Sequence, residues 1–447
     1  MSPAPATRLR RYEILALAIT AIGATLTAGQ TSGGRNGPPP RPQGPCDIYA
    51  AAGNPCVAAH STTRALYANY SGPLYQVLRQ SDGRTLDIAV VQPVTAPMPD
   101  AGGYANAAAQ DAFCAHTYCW IVKIYDQSPK HNDLTQAPRG GFSGPAMGGF
   151  NNVPIADMAP VTIMGHKVYG VFIEPGMGLR DDDPVGTAVD DQAEGQYWVI
   201  NGLHYNSGCC FDYGNAEIDS RDDGNGTMET TYYGNATGWY HGPPPGPWIM
   251  TDQENNLVGC VNPGSTSKLC DLPTITWRFV TATADGEPHH WRSMGGDAQT
   301  GDLKVMFDGP RINASYDPMR KQGAILLGNG GDNSVGSQGT FYEGAMTAPN
   351  TFPTLDTNQK VHANVVAARY DVAWVSIKPA IAVDAPLPAE ASATAGPGLQ
   401  TFSPGSSQDT TVTFTNTTAT PVSGVELSLS VPRGWTAVVQ GTAKTFA

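Results

Sequence analysis

"QYWVINGLHY", residues 196–205, sets Tyr197, Trp198, Val199 and Ile200 in an unbroken row and closes on Asn201 and Gly202. Aromatic and β-branched side chains fit a pleated, half-buried surface, and an Asn-Gly pair ends it, so the stretch predicts a short strand. The same signature recurs outward along the chain. It is seen in "TLDIAVVQ" (85–92), "CWIVKIYDQ" (119–127), "KVYGVFIE" (167–174), "TITWRFVTATADG" (274–286), "DLKVMFDG" (302–309), "GAILLGNGGD" (323–332) and "GTFYEGAMT" (339–347). Helical patterning is confined to residues 105–115 and 357–368. The 51 glycines and 37 prolines suit many short connections. No period of about 20 to 50 residues repeats, which argues against propellers and solenoids. The expectation is an all-β chain, a two-sheet β-sandwich of the concanavalin or jelly-roll kind.

The termini read differently. Residues 1–28 carry Arg8, Arg10 and Arg11, an apolar run and a small-residue exit at Leu26, Thr27 and Ala28, the pattern of a secretory signal peptide. The run is shorter than the roughly 20 apolar residues of a spanning helix. Whether export is by the general or the twin-arginine route stays open. Residues 29–44 are a Gly/Pro linker, 45–378 the β-sandwich, and 379–400 an Ala/Pro-rich linker. Residues 401–447 alternate apolar and polar positions, as a partial immunoglobulin-like β module would.

Export makes the eight cysteines a disulfide framework. They fall as four local pairs, Cys46 with Cys56, Cys114 with Cys119, Cys209 with Cys210 and Cys260 with Cys270, and sequential pairing is expected. None has the spacing of a zinc knuckle, so no metal and no cofactor is expected. The formal charge is -13, and removal of a leader with three arginines and one glutamate makes the remainder more acidic still. Such a chain repels phosphate backbones and anionic lipid, which excludes nucleic acid and membrane surfaces as partners and leaves neutral ligands such as sugars. A monomer is expected.

Sugar hydrolysis usually needs two carboxyl groups. In "GPWIMTDQENN" (246–256) a buried-looking strand, Trp248 to Met250, leads to Asp252 and Glu254 two residues apart on one face, with Asn255 and Asn256 beside them. Like charges so placed repel, so one acid should be held by hydrogen bonds and orient the other. A polar edge strand would read the same way. In "GAILLGNGGDNS" (323–334) an apolar strand runs into three glycines and then Asp332, letting backbone approach a ligand closely. A plain glycine turn is the alternative. Glu217 and Glu343 are further acids in strand-like settings. There is no nucleophile elbow, since "GFSGP" (141–145) ends in proline, and no Walker or dinucleotide loop.

Taken together, "GPCDIYAAAGNPCVAAHSTTRALYANYSGPLYQVLRQSDG", "NAAAQDAFCAHTYCWIVKIYDQSPKHNDLTQAP", "HYNSGCCFDYGNAE", "GPWIMTDQENN" and "KQGAILLGNGGDNS", followed by "QGTFYEGAMT", resemble the catalytic domain of the secreted α-L-arabinofuranosidases of glycoside hydrolase family 54, over residues 44–375. The resemblance implies a secreted β-sandwich that removes terminal α-L-arabinofuranosyl groups from plant arabinoxylan, arabinan and arabino-oligosaccharides with retention of configuration. It implies Glu254 as nucleophile and Asp332 as general acid/base. Asp252, Asn255, Asn256 and Gly331 match substrate-contacting positions, and Trp239 an aromatic wall. It implies the first three disulfides and puts Cys209–Cys210 against the sugar; the Cys260–Cys270 bridge rests on spacing alone. Retention asks for carboxyl groups about 5 to 5.5 Å apart. Asp332 then needs a raised pKa, expected from burial and from the charge of Glu254. Gln253, at a variable place between the key acids, is expected to alter the pocket. Family members usually carry a C-terminal arabinose-binding β-trefoil, which nothing after residue 380 resembles. Two other readings stay open, a non-catalytic lectin-like sandwich and a β-xylosidase or mixed-specificity glycosidase. Preference among 1,2, 1,3 and 1,5 linkages is not legible.

Overall fold

A computed structural model describes residues 37–96, 98–141, 150–260 and 268–372, with short strands at 375–379, 410–414, 422–423 and 445–446. The expected signal peptide, half of the first expected linker, nearly all of the second and most of the expected C-terminal module lie outside the described residues. Among those described, no helix is long and apolar enough to cross a membrane.

The expected sandwich is present. One antiparallel sheet runs, in spatial order, Cys56–Ser61, Gly339–Thr347, Glu194–Asn201, Phe279–Glu287, His290–Asp297 and Lys304–Pro310, with Val171–Ile173 beside the second of these. The other has ten strands: Leu257–Val258, Trp248–Asp252, Glu229–Gly234, Asp212–Ala216, Ala324–Leu327, Leu179–Asp181, Leu134–Gln136, Cys119–Ile124, Pro73–Arg79 and Thr85–Ala89.

The opening stretch sits at the centre of the first sheet, paired on both sides, which explains its lack of polar alternation. Trp198 stacks tilted on Phe211, 5.0 Å between ring centroids, and Tyr213 meets Phe341 at 5.3 Å. These pairs cross the gap between sheets, each worth about 0.5–1.5 kcal/mol beyond its buried area. Behind the first sheet, Tyr197 packs on Tyr49 of the helix Pro45–Ala51, whose hydroxyl donates to Asn358 on the helix Leu355–Ala367.

Three expected elements differ in detail. "KVYGVFIE" is two strands, His166–Tyr169 and Val171–Ile173, in different sheets. The break falls at Gly170, where a Cβ would lie 2.7 Å from the Tyr342 ring. In "TITWRFVTATADG" the strand begins only at Phe279, and the helix expected over 105–115 is Ala107–Phe113, capped by Asn106. All four sequential disulfides are formed, Cys260–Cys270 included.

Candidate active site

Alternation along the ten-stranded sheet sends Tyr213, Tyr233, Ile249, Ile325 and Leu327 into the main core. Their neighbours point the other way and form two smaller clusters, one around Tyr232, Trp248 and Met250, the other of Ala216, Met228, Ala324 and Leu326. On this outer face the loops that leave the strands enclose a cavity of about 150 Å³. Its lining brings together all nine of the expected site residues, Cys209, Cys210, Trp239, Asp252, Glu254, Asn255, Asn256, Gly331 and Asp332, along with Leu257 and Ser334.

Glu254 does not stand on the strand, as the alternating pattern implied. The strand ends at Asp252, and Glu254 and Asn255 both have φ of +59°. Such a pair is uncommon outside glycine and costs on the order of 1–3 kcal/mol per residue unless the surroundings hold it. Here they do. Asp252 Oδ1 accepts from the Glu254 amide at 3.0 Å, and the Tyr316 hydroxyl donates to the Glu254 carbonyl at 3.1 Å. The Asn256 amide donates in turn to Tyr316, and Asn255 to Asp222 at 3.0 Å. The expectation that one acid would orient the other is met through the backbone: Asp252 fixes the turn that aims Glu254. Gln253 is a correction. It is fully buried and turned away from the cavity, donating to Glu229 at 3.1 Å.

Asp332 is delivered by the strand Ala324–Leu327. The chain turns at Gly328, φ +80°, whose amide donates to the Asp212 carbonyl at 2.8 Å. Arg180, fully buried on the next strand, donates to the carbonyls of Gly330 and Gly331 at 3.1 and 2.9 Å. Asp332 Oδ1 accepts from the Ser334 amide at 2.8 Å and its hydroxyl at 2.7 Å. That hydroxyl is also 3.9 Å from both bridged sulfurs of Cys209 and Cys210, so the acid and the disulfide share one support. Asp332 is half-buried rather than buried, which corrects the environment expected for it.

Acids outnumber cations around the cavity. Burial, then the charges of Asp252, Glu217, Asp332 and Asp222, push the Glu254 carboxyl up to about 11. Burial also drives Asp252 and Asp212 well above the usual carboxylate range. Glu217, beneath Gly331, is pushed up to about 7 by burial, restrained by hydrogen bonds and Arg180. The Arg180 guanidinium is already engaged with three carbonyls and with Asp182 at 2.8 Å. Glu343, the other acid singled out, belongs to the fold. It takes two 2.6 Å bonds from Arg64 and one from Tyr370, away from the cavity.

The chain's residues 45–371 match the family model described as "Alpha-L-arabinofuranosidase B, catalytic". The chain belongs to the α-L-arabinofuranosidase B family. Residues 402–446 match a second model, the NPCBM-associated NEW3 domain of alpha-galactosidase. Among α-L-arabinofuranosidase B relatives, an alpha-L-arabinofuranosidase of Hypocrea jecorina is 54% identical over 341 residues, 76% of this chain and 65% of that protein. An arabinofuranosidase/B-xylosidase of Trichoderma koningii matches to the same extent, 54% over 341 residues, 76% and 65%. The chain thus spans a little under two thirds of the length of these relatives. A crystal structure of an arabinofuranosidase complexed with arabinofuranosyl-alpha-1,2-xylobiose superposes with a TM-score of 0.70 at 50% identity, covering 75% of this chain and 70% of that one.

Several residues that line or support this cavity were not singled out from sequence, Tyr316 among them. Asp212 lies between Phe211 and Tyr213, and a charged residue inside an aromatic strand was the available signal. Arg180, in "GLRDDD", reads as a polar loop, and Ser334 and Leu257 carry no pattern. The Cys260–Cys270 bridge is also used here. Cys270 and Lys268 pair with His241, and Lys268 Nζ reaches the Gly238 carbonyl at 2.7 Å, bracing the segment that carries Trp239. Cys209, Cys210 and Asp252 offer atoms within 4.8 Å of one another, but bridged sulfurs are not the thiolates that bind metal.

Proposed function

We propose that this chain is a secreted, retaining α-L-arabinofuranosidase, acting on terminal arabinofuranosyl groups of arabinoxylan, arabinan and their oligosaccharides. What supports the reading most is that Glu254 and Asp332, on separate loops, open into the same small cavity beside the Cys209–Cys210 bridge. That cavity is well below the roughly 300–1,000 Å³ of drug-sized sites, a scale for one terminal sugar rather than a chain.

In the first step the Glu254 carboxylate attacks the anomeric carbon. The bond to the leaving oxygen breaks, and Asp332 gives that oxygen its proton. In the second step ionised Asp332 takes a proton from water. The resulting hydroxide equivalent displaces Glu254 and frees arabinose with the original configuration. Asn255, Asn256 and Asp252 offer hydrogen bonds to sugar hydroxyls, Trp239 and the disulfide the apolar walls, and the Gly331 backbone a close approach.

The test is release of nitrophenol from 4-nitrophenyl α-L-arabinofuranoside by wild type and Glu254→Gln, with proton NMR of the first-formed anomer. Turnover by Glu254→Gln, or inversion, would defeat the proposal. A second reading, mixed arabinofuranosidase and β-xylosidase activity, is favoured by the double name of the Trichoderma koningii relative. The 4-nitrophenyl β-D-xyloside decides it.

A further inference from the structure

We propose that Glu217 is the proton partner of Glu254, a positioning residue that accepts the Glu254 proton and then donates a hydrogen bond back to the attacking carboxylate. The inference rests on Glu254 being the nucleophile. Its ground is geometric. A Cβ placed on Gly331 would sit 1.9 Å from Glu217 Oε2 and 2.8 Å from Glu254 Oε2. The two oxygens therefore bracket one point and are no further apart than the sum of those distances. Glu217 is fully buried, and its other oxygen, Oε1, accepts from the Thr227 hydroxyl. Among the described residues no donor other than the Glu254 carboxyl is placed to serve Oε2.

Two carboxylate oxygens facing one another in a closed space repel, and a proton between them removes the repulsion and supplies the missing donor. Among the described residues the charged groups around the pair are Arg180, whose guanidinium is bound to the Glu217 backbone carbonyl, and the acids Asp212, Asp252, Asp222 and Asp332. Burial and the surrounding acids raise both partners, so the resting pair holds a proton between its two carboxyl groups, and while that proton sits on Glu254 the nucleophile is idle. A protonated carboxyl cannot attack. Transfer of that one proton from Glu254 to Glu217 Oε2 moves the negative charge onto the nucleophile and leaves the total unchanged. Glu217–H then points its donor at the carboxylate it has released. When Glu254 is esterified, Glu217 keeps the proton, ready for the carboxylate that returns.

The experiment compares wild type, Glu217→Gln, Glu217→Ala and Glu254→Gln on 4-nitrophenyl α-L-arabinofuranoside across pH, with Tm for each. Glutamine keeps a donor toward Glu254 and an acceptor for Thr227 but removes the competing negative charge. Because glutamine cannot take the Glu254 proton, kcat should fall by about tenfold, less than for alanine because the donor remains, and the acid limb of the profile should move down by about one pH unit, because Glu254 no longer faces a competing carboxylate. Glu217→Ala should lose about 100-fold or more in kcat with KM little changed. An acid limb unmoved by Glu217→Gln, or equal losses in the glutamine and alanine variants, would overturn the proposal. An active Glu254→Gln would instead overturn the reading beneath it.

Discussion

The segment Trp248 to Glu254 has two sides, and they treat buried acid in opposite ways. Toward the other sheet, Gln253 joins Glu229, which Arg311 grips and Lys321 contacts at 3.2 Å. Burial alone would raise Glu229, but the two cations win and hold it down at about 2. Glu194 shares only Lys321 at 3.2 Å, and there burial prevails and its pKa is raised. On the outer side Asp212, Glu217, Asp252 and Glu254 are equally buried, yet Arg180 is committed mainly to carbonyls, and all four acids are raised. Burial is common to both sides. The supply of cations separates an acid that holds the fold from acids that store protons.

The largest effects should come from breaking each side at its centre. Glu254→Gln is expected to lower kcat by about 10⁴-fold or more while leaving Tm unchanged or higher, since it removes a group crowded by like charges. Arg311→Met should do the reverse. Stranding Glu229 should cost about 3–5 kcal/mol, read by denaturant unfolding, while the folded fraction keeps its kcat. Comparable loss of kcat in both variants would erase the distinction.

The contrast also sets a pH dependence of stability. Glu217 has a folded value of about 7 against an ordinary value of 4.5. Between those limits the folded chain binds a proton that the unfolded chain has released, so stability falls as pH rises, by about 1 kcal/mol per unit for each such group. Glu229 works the other way. Its value of about 2 gives stability that is present above its ordinary 4.5 and is lost as pH falls toward 2. Tm should therefore be highest near pH 4.5 to 5, and Glu217→Gln should flatten the neutral slope without altering the acid one. A wild-type Tm that rises from pH 5 to 7 would contradict the raised values.

This division of labour was only half legible in the sequence. Strands such as 196–201 declare themselves because aromatic and β-branched residues cluster there. The loop acids stood out because apolar strands led into them. Their surroundings did not, since the cations facing an acid come from distant places: Arg311 and Lys321 reach Glu229 across 82 and 92 residues. For the same reason the sequence places Gln253 beside the pocket acids without showing its bond to Glu229, and leaves Glu343 among the candidate acids without showing Arg64 against it. A strand pattern fixes which way Asp252 points. It cannot show that Glu254 follows through a left-handed turn braced by Tyr316.

The smallest expected effect on stability, and the one that best isolates the outer side, is at Cys209–Cys210. A bridge between neighbours closes no loop, so it restricts the unfolded chain very little and contributes little stability by that route. Nearby, the Gly336 amide donates to the Cys209 carbonyl at 2.9 Å, so the segment is also held by backbone. What the pair adds is an apolar wall of the cavity, already ordered before any sugar arrives, which spares the entropy of fixing side chains on binding. Replacing both cysteines by alanine should raise KM or lower kcat by about tenfold, roughly 1.4 kcal/mol, and shift Tm by no more than a few degrees. A large drop in Tm with unchanged kinetics would move the bridge to the structural side of the comparison. It would then stand with Arg311 and Lys321.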